Sequence, residues 1–205
     1  MGRHCGWLAA ATAYEYRKRL NDISFLPEIG VKKEKWEIHS LLLPEVEINF
    51  KEECNRLNKI MDQYDCVNVF LSEGAGMDLI IKETENQGKT ILRDAFGHVR
   101  LDELNPGKWF AKELSKHLNA NKILIQKSGY FARSSKPNKK DLNLIIKMAD
   151  QAVKSAIKGI NGVVGWDEEN NNTLSCIEFD RIKGGKPFNI NQNWYKKMIT
   201  EIQAI

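Results

Sequence analysis

Residues 66–76 constrain the fold of this 205-residue chain more than any other stretch: Cys66-Val67-Asn68-Val69-Phe70-Leu71 runs straight into Ser72-Glu73-Gly74-Ala75-Gly76. A short apolar run rich in β-branched residues, cut off by small and polar ones, predicts a strand buried on both faces that ends in a loop. Burial on both faces demands covering layers above and below, and helices supply them where the neighbouring strands are parallel. In such sheets ligands bind in the crevice beyond the carboxyl ends of the strands, so Glu73 stands where a binding carboxylate belongs. Glu73 can equally cap the helix that follows. Gly74 and Gly76 make no dinucleotide fingerprint, because Leu79 occupies the place of the third glycine.

The remaining chain repeats the alternation. Cys5, Leu8, Ala9, Thr12, Ala13, Tyr16 and Leu20 recur at three- and four-residue spacing and predict a helix over residues 3–20, with alanines that allow close packing on a sheet. Residues 23–26 are a short strand candidate, and 38–43 a buried strand that feeds a turn at Pro44-Glu45. Asn49 with Glu52 three residues on predicts a helix start, striped by Phe50, Cys54, Leu57, Met61 and Tyr64. A short helix is expected over 77–88, and Asn105-Pro106 opens another. Residues 122–126 read as a further buried strand that ends in Lys127-Ser128-Gly129-Tyr130-Phe131-Ala132-Arg133. The longest amphipathic pattern starts at Asp141 and closes between Gly159 and Gly162. A strand over 162–166 then pairs with a hairpin partner in 174–182, and a short helix ends the chain. This order predicts an α/β fold of three layers, a mainly parallel sheet flanked by helices.

Composition narrows the function classes. A net charge of +4 suits phosphorylated small molecules, but no dense Lys/Arg stripe marks a nucleic-acid partner. Cys5, Cys54, Cys66 and Cys176 never form a C-x-x-C pair, so free thiols in a reducing cytoplasm are expected. The four histidines are scattered, with no H-x-x-x-H, and no metal site is expected. No apolar run approaches the ~18 residues of a membrane span. Lys183-Gly184-Gly185-Lys186 is not a Walker loop.

Three loop stretches carry the candidate chemistry. Met1-Gly2-Arg3 precedes the first helix, where free N–H groups and a guanidinium can grip a phosphate; a frayed basic terminus accounts for the same residues. Glu73 can accept hydrogen bonds from sugar hydroxyls. Tyr130 can donate one or pack on a ring edge, and Arg133 can hold a phosphate. Together they describe a sugar-phosphate pocket.

Met-Gly-Arg at 1–3, Ser-Glu-Gly at 72–74 and Tyr-x-x-Arg at 130–133 resemble, in order, three sugar-phosphate-binding motifs of pyrophosphate-dependent phosphofructokinases. Phe-Gly-His-Val-Arg-Leu-Asp-Glu-Leu-Asn-Pro-Gly-Lys-Trp-Phe at 96–110 is similar to the long subgroup of that family, as are Leu-Leu-Pro-Glu-Val-Glu-Ile at 42–48 and Lys-Gly-Gly-Lys-Pro-Phe at 183–188. The resemblance implies transfer of a phosphoryl group from pyrophosphate to the 1-hydroxyl of fructose 6-phosphate in glycolysis, with Mg2+ present. It gives Arg3 and Arg133 the sugar phosphate, Glu73 the sugar hydroxyls, Tyr130 a place in the same pocket, and Met1 and Gly2 a part in its walls. A homodimer in the cytoplasm is the implied assembly.

The family also carries a Gly-Gly-Asp-type pyrophosphate loop and a Thr-x-Asp-x-Asp motif with the general base, both ahead of Met-Gly-Arg. Neither occurs here. The expectation is therefore the carboxyl-terminal half of a phosphofructokinase-like fold over 1–205, with no catalytic base and no Mg2+ ligands of its own. The pyrophosphate site would lie on the other half, and the chain alone would be inactive. A stand-alone sugar-phosphate-binding module and part of an ATP-dependent phosphofructokinase remain the alternatives.

Overall fold

The computed structural model describes residues 4–93, 99–100, 104–182 and 186–205, with only the backbone of Tyr130, Ala132 and Arg133. It divides into two units, Met1–Gln126 with Pro187–Ile205, and Lys127–Lys186. Residues 1–3, most of the 94–103 connector and 183–185 lie outside the described residues.

The first unit is built on two parallel strands, β1 (Ser40–Leu42) and β2 (Val69–Leu71), in register Ser40–Val69, Leu41–Phe70 and Leu42–Leu71. Strand alternation sorts their side chains onto two faces. Leu41 and the following Leu43 join Ala10 and Ala13 of α1 (Trp7–Asn21) with Tyr195, Met198 and Ile202 of α7 (Asn193–Gln203). Leu42 faces the other way, into Cys54, Leu57 and Ile60 of α2 (Phe50–Tyr64), Ile80 of α3 (Met77–Asn86) and Phe110 and Leu114 of α4 (Pro106–His117). Helices thus cover both faces of the pair, which is the three-layer α/β arrangement the alternation predicts. Each fully buried leucine contributes about 1.5–3 kcal/mol of transfer free energy. Ala10 and Ala13 have no exposed surface, which is why a weakly amphipathic helix packs so closely on the sheet.

The starts of α2 and α4 follow the predicted chemistry. The Asn49 side chain accepts from the Glu52 amide at 3.3 Å, and that of Asn105 from the Lys108 amide at 3.3 Å. Residues 122–126 do not become a strand. They have strand composition, but no described strand pairs with them, and Leu124 is 82% exposed. Residues 23–26 contribute only an isolated bridge, Leu26 to Val31.

The second unit holds α5 (Gly129–Ser134), α6 (Lys139–Ile157) and the antiparallel hairpin β3 (Val163–Asp167) with β4 (Thr173–Ile177). Asn138 caps α6, its side chain accepting from the amides of Lys140 and Asp141. The expected apolar stripe of α6 forms but stays exposed at Leu142, Ile145 and Val153. Arg181 staples the hairpin: Nη2 lies 2.6 Å from one Asp167 oxygen and Nη1 2.9 Å from the other, with Glu169 and Glu178 beside it. The guanidinium holds the Asp167 carboxyl below the usual carboxylate range, and Asp167 in turn raises Arg181.

Candidate functional site

The carboxyl ends of β1 and β2 form one edge of the first unit. The Ser72 amide donates to the Leu42 carbonyl at 2.9 Å, which ties the two strand ends together. From that junction β2 releases Glu73 into a turn, exposed, two residues beyond the strand. The N-cap of α3 is Gly76 rather than Glu73, with the backbone left-handed at φ 63°. Only a residue without a Cβ fits there: one built on Gly76 would stand 2.5 Å from Cζ of buried Phe110.

β1 leaves the same edge through Leu43, Pro44 and Glu45. The Glu45 carboxylate accepts from the Gly6 amide through both oxygens, at 2.8 and 3.1 Å, and from the Phe188 amide at 2.8 Å. Gly6 is the N-cap of α1 and follows Arg3 by three residues. The Gly6 amide, at the head of α1, is thus taken by a side chain of the protein itself. Local patterns could not disclose Glu45, because its two partners lie 39 and 143 residues away.

The Glu73 turn begins at this edge of the first unit, and Gly6, at the head of α1, is held by the Glu45 carboxylate beyond the end of β1. Met1, Gly2 and Arg3 themselves lie outside the described residues. Tyr130 and Arg133 belong to the second unit, three positions apart and so about one turn apart on α5, preceded by Ser128 at its N-cap.

His39, immediately before β1, is fully buried. The Asn68 amide donates to its Nδ1 at 2.9 Å, so Nε2 carries the hydrogen and donates to the Glu34 carbonyl at 3.0 Å. Burial pushes this imidazole below its usual pKa and nearby Arg56 adds to the effect, against the Glu34 carbonyl and the Glu37 carboxylate. It is a structural group with both nitrogens committed. Among the described residues no group of three or more His, Cys, Asp or Glu side chains could hold a metal ion. No helix among them is long and apolar enough to cross a membrane, and the four cysteines are free thiols.

The first unit is a three-layer α/β unit with an acidic, glycine-containing loop at the carboxyl edge of its parallel pair, the edge at which folds of this class bind their ligands. No family model matches the chain. Curated relatives do: it is 52% identical over 202 residues to the pyrophosphate–fructose 6-phosphate 1-phosphotransferase of Methylomonas methanica, and 52% to that of Methylotuvimicrobium alcaliphilum. The enzyme of the same name from Mastigamoeba balamuthi is 47% identical over the same length. Each match takes in 98% of this chain and 49% of the relative. The chain spans about half the length of the curated relatives it matches. It is a half-length relative of the pyrophosphate–fructose 6-phosphate 1-phosphotransferases.

Proposed function

We propose that this chain forms the fructose 6-phosphate-binding part of a pyrophosphate-dependent phosphotransferase. The observation that carries the proposal is the 52% identity across 98% of the chain to enzymes so named. Those names specify pyrophosphate, which favours it over ATP as donor. In the reaction the 1-hydroxyl oxygen of fructose 6-phosphate attacks one phosphorus of pyrophosphate. The bond from that phosphorus to the bridging oxygen breaks, inorganic phosphate leaves, and the hydroxyl proton passes to a base.

Arg3 and Arg133 are the cationic candidates for the sugar phosphate, where a planar guanidinium can bind two oxygens at once. Glu73 accepts hydrogen bonds from sugar hydroxyls, Tyr130 donates one or packs on the ring, and Met1 and Gly2 shape the wall. These are tasks of positioning and charge neutralisation, and phosphoryl transfer depends mainly on those. The resemblance also implies Mg2+. The described residues offer no cluster of side chains that fits it. No counterpart of the family's base motif or donor loop stands in this sequence.

The expected behaviour of the chain by itself is binding of fructose 6-phosphate without turnover. Calorimetric titration reads the binding, and a coupled assay with pyrophosphate, fructose 6-phosphate and Mg2+ reads the turnover. Activity of the chain alone would overturn the assignment of the base and donor site to residues outside it. Absence of fructose 6-phosphate binding by a folded chain would overturn the sugar-phosphate role.

A further inference from the structure

Resting on the sugar-hydroxyl role given to Glu73 above, we propose that Phe110 is a positioning residue that sets the height of the Glu73 turn over the carboxyl edge of the parallel pair. Its ring is the floor beneath Gly76, the residue at which the turn becomes α3. The approach is closer than any side chain at Gly76 would allow: an added Cβ would stand 2.5 Å from Cζ and 2.8 Å from Cε2 of Phe110, and 3.3 Å from Cδ1 of Ile48.

The turn is held at both ends and directs one charged residue outward. Ser72, Gly74 and Ala75 are buried, and Glu73 between them is exposed. At the β2 end the Ser72 amide donates to the Leu42 carbonyl at 2.9 Å, and the Ala75 amide closes the turn onto the Ser72 carbonyl at 3.1 Å. At the α3 end the Gly76 carbonyl accepts from the amides of Leu79 and Ile80, at 3.1 and 3.2 Å. The first turn of α3 therefore hangs from the residue that rests on Phe110.

That floor is itself fixed. Phe110 is buried, Trp109 meets it edge to face at 4.9 Å, and Phe50 of α2 lies 6.1 Å away. The Trp109 indole N–H donates to the Glu83 carboxylate at 2.7 Å, so α4 grips the same helix whose head it supports. A hydroxyl bonded to a carboxylate sits within about 2.5–2.7 Å of it, and the bond weakens steeply once its angle opens. A shift of the turn of about 1 Å is enough to lose such geometry. Phe110, buried beneath the turn, thus acts on the ligand through Glu73.

Calorimetry for fructose 6-phosphate and hydrogen exchange, both on the full chain, test the proposal. Phe110→Leu removes the ring atoms under Gly76 and is expected to speed exchange of the Ala75 and Leu79 amides about tenfold or more. The His39 and Ser40 amides, which donate to the Asn68 carbonyl, should exchange as before. Fructose 6-phosphate binding should weaken about tenfold, as for one lost hydrogen bond to a charged group. Phe110→Met keeps more of the volume and should fall between; it serves in place of Phe110→Leu if that variant does not fold. In a Glu73→Ala background Phe110→Leu should weaken binding no further, because both changes act through one carboxylate, whereas a merely structural role would add its full effect. Unaltered affinity of Phe110→Leu, acceleration at His39 and Ser40 equal to that at Ala75, or a full further loss in the Glu73→Ala background would each overturn the positioning role. A wild-type chain that binds no fructose 6-phosphate, or a Glu73→Ala variant that binds it unchanged, would overturn the functional reading, while the exchange rates still decide whether Phe110 seats the turn.

Discussion

Replacing Gly76 with alanine should cost more than the same replacement at Gly30. Two costs combine. At φ 63° an L-residue sits in the left-handed region, at about 1–2 kcal/mol. Its Cβ would also lie 2.5 and 2.8 Å from two ring carbons of Phe110, which is 2% exposed and packed against Trp109 and Phe50, so the ring cannot swing aside. Overpacking of this kind costs about 1–3 kcal/mol. Gly30 supplies the control: its φ is 81°, and an added Cβ meets nothing within 4 Å. Gly30→Ala therefore bears the backbone cost alone. In urea unfolding of the full chain, Gly76→Ala should lose about 2–5 kcal/mol and Gly30→Ala about 1–2. The difference isolates the contact with Phe110. Equal losses in the two variants, within about 0.5 kcal/mol, would refute the packing argument and leave only the dihedral.

Titration of His39 gives a second expectation. Its folded pKa lies below the usual value of about 6.5, so the neutral ring favours the folded state. That contribution is complete above pH ~6.5 and is lost as the pH falls from there through the lowered pKa, where the folded protein also takes up the proton. Urea midpoints between about pH 5.5 and 7.5 should decline on the acid side and flatten in His39→Gln; a flat wild-type profile would contradict the assignment of Nδ1 as acceptor. Asn138→Ala removes a side chain that accepts from two amides of α6 and should cost about 1 kcal/mol, read from the melting of the second unit's helix by circular dichroism.

The layers were legible in the sequence because both periods are local. The continuous apolar runs over 38–43 and 66–71 announce strands covered on two faces, and the Asn49 and Asn105 caps announce helix starts by their own chemistry. The start of α6 fell a few residues early, at Asn138, since an asparagine followed by lysines and no apolar residue carries little periodic signal. Residues 122–126 show the limit of composition: a strand is a pairing, and Ile123, Leu124 and Ile125 have strand side chains without a described partner. Glu73 at a strand's carboxyl end was legible as a candidate from the break after Leu71. Glu45 was not. In sequence it is the acidic residue of a proline turn, and only folding brings Gly6 and Phe188 to it. Arg181 likewise gave no sign of its pairing with Asp167, fourteen residues earlier.

The most direct test places this chain where its relatives carry the matching half. In the Methylomonas methanica phosphotransferase, the aligned 202-residue stretch is exchanged for the present sequence, and turnover is followed with pyrophosphate, fructose 6-phosphate and Mg2+. The account predicts an active chimera. It also predicts that Arg133→Lys and Arg133→Ala both lower kcat/KM for fructose 6-phosphate by roughly 10- to 100-fold, since lysine keeps the charge but lacks the planar fork. The apparent affinity for pyrophosphate should change far less. A folded chimera without turnover, or an active one indifferent to both substitutions, would contradict it.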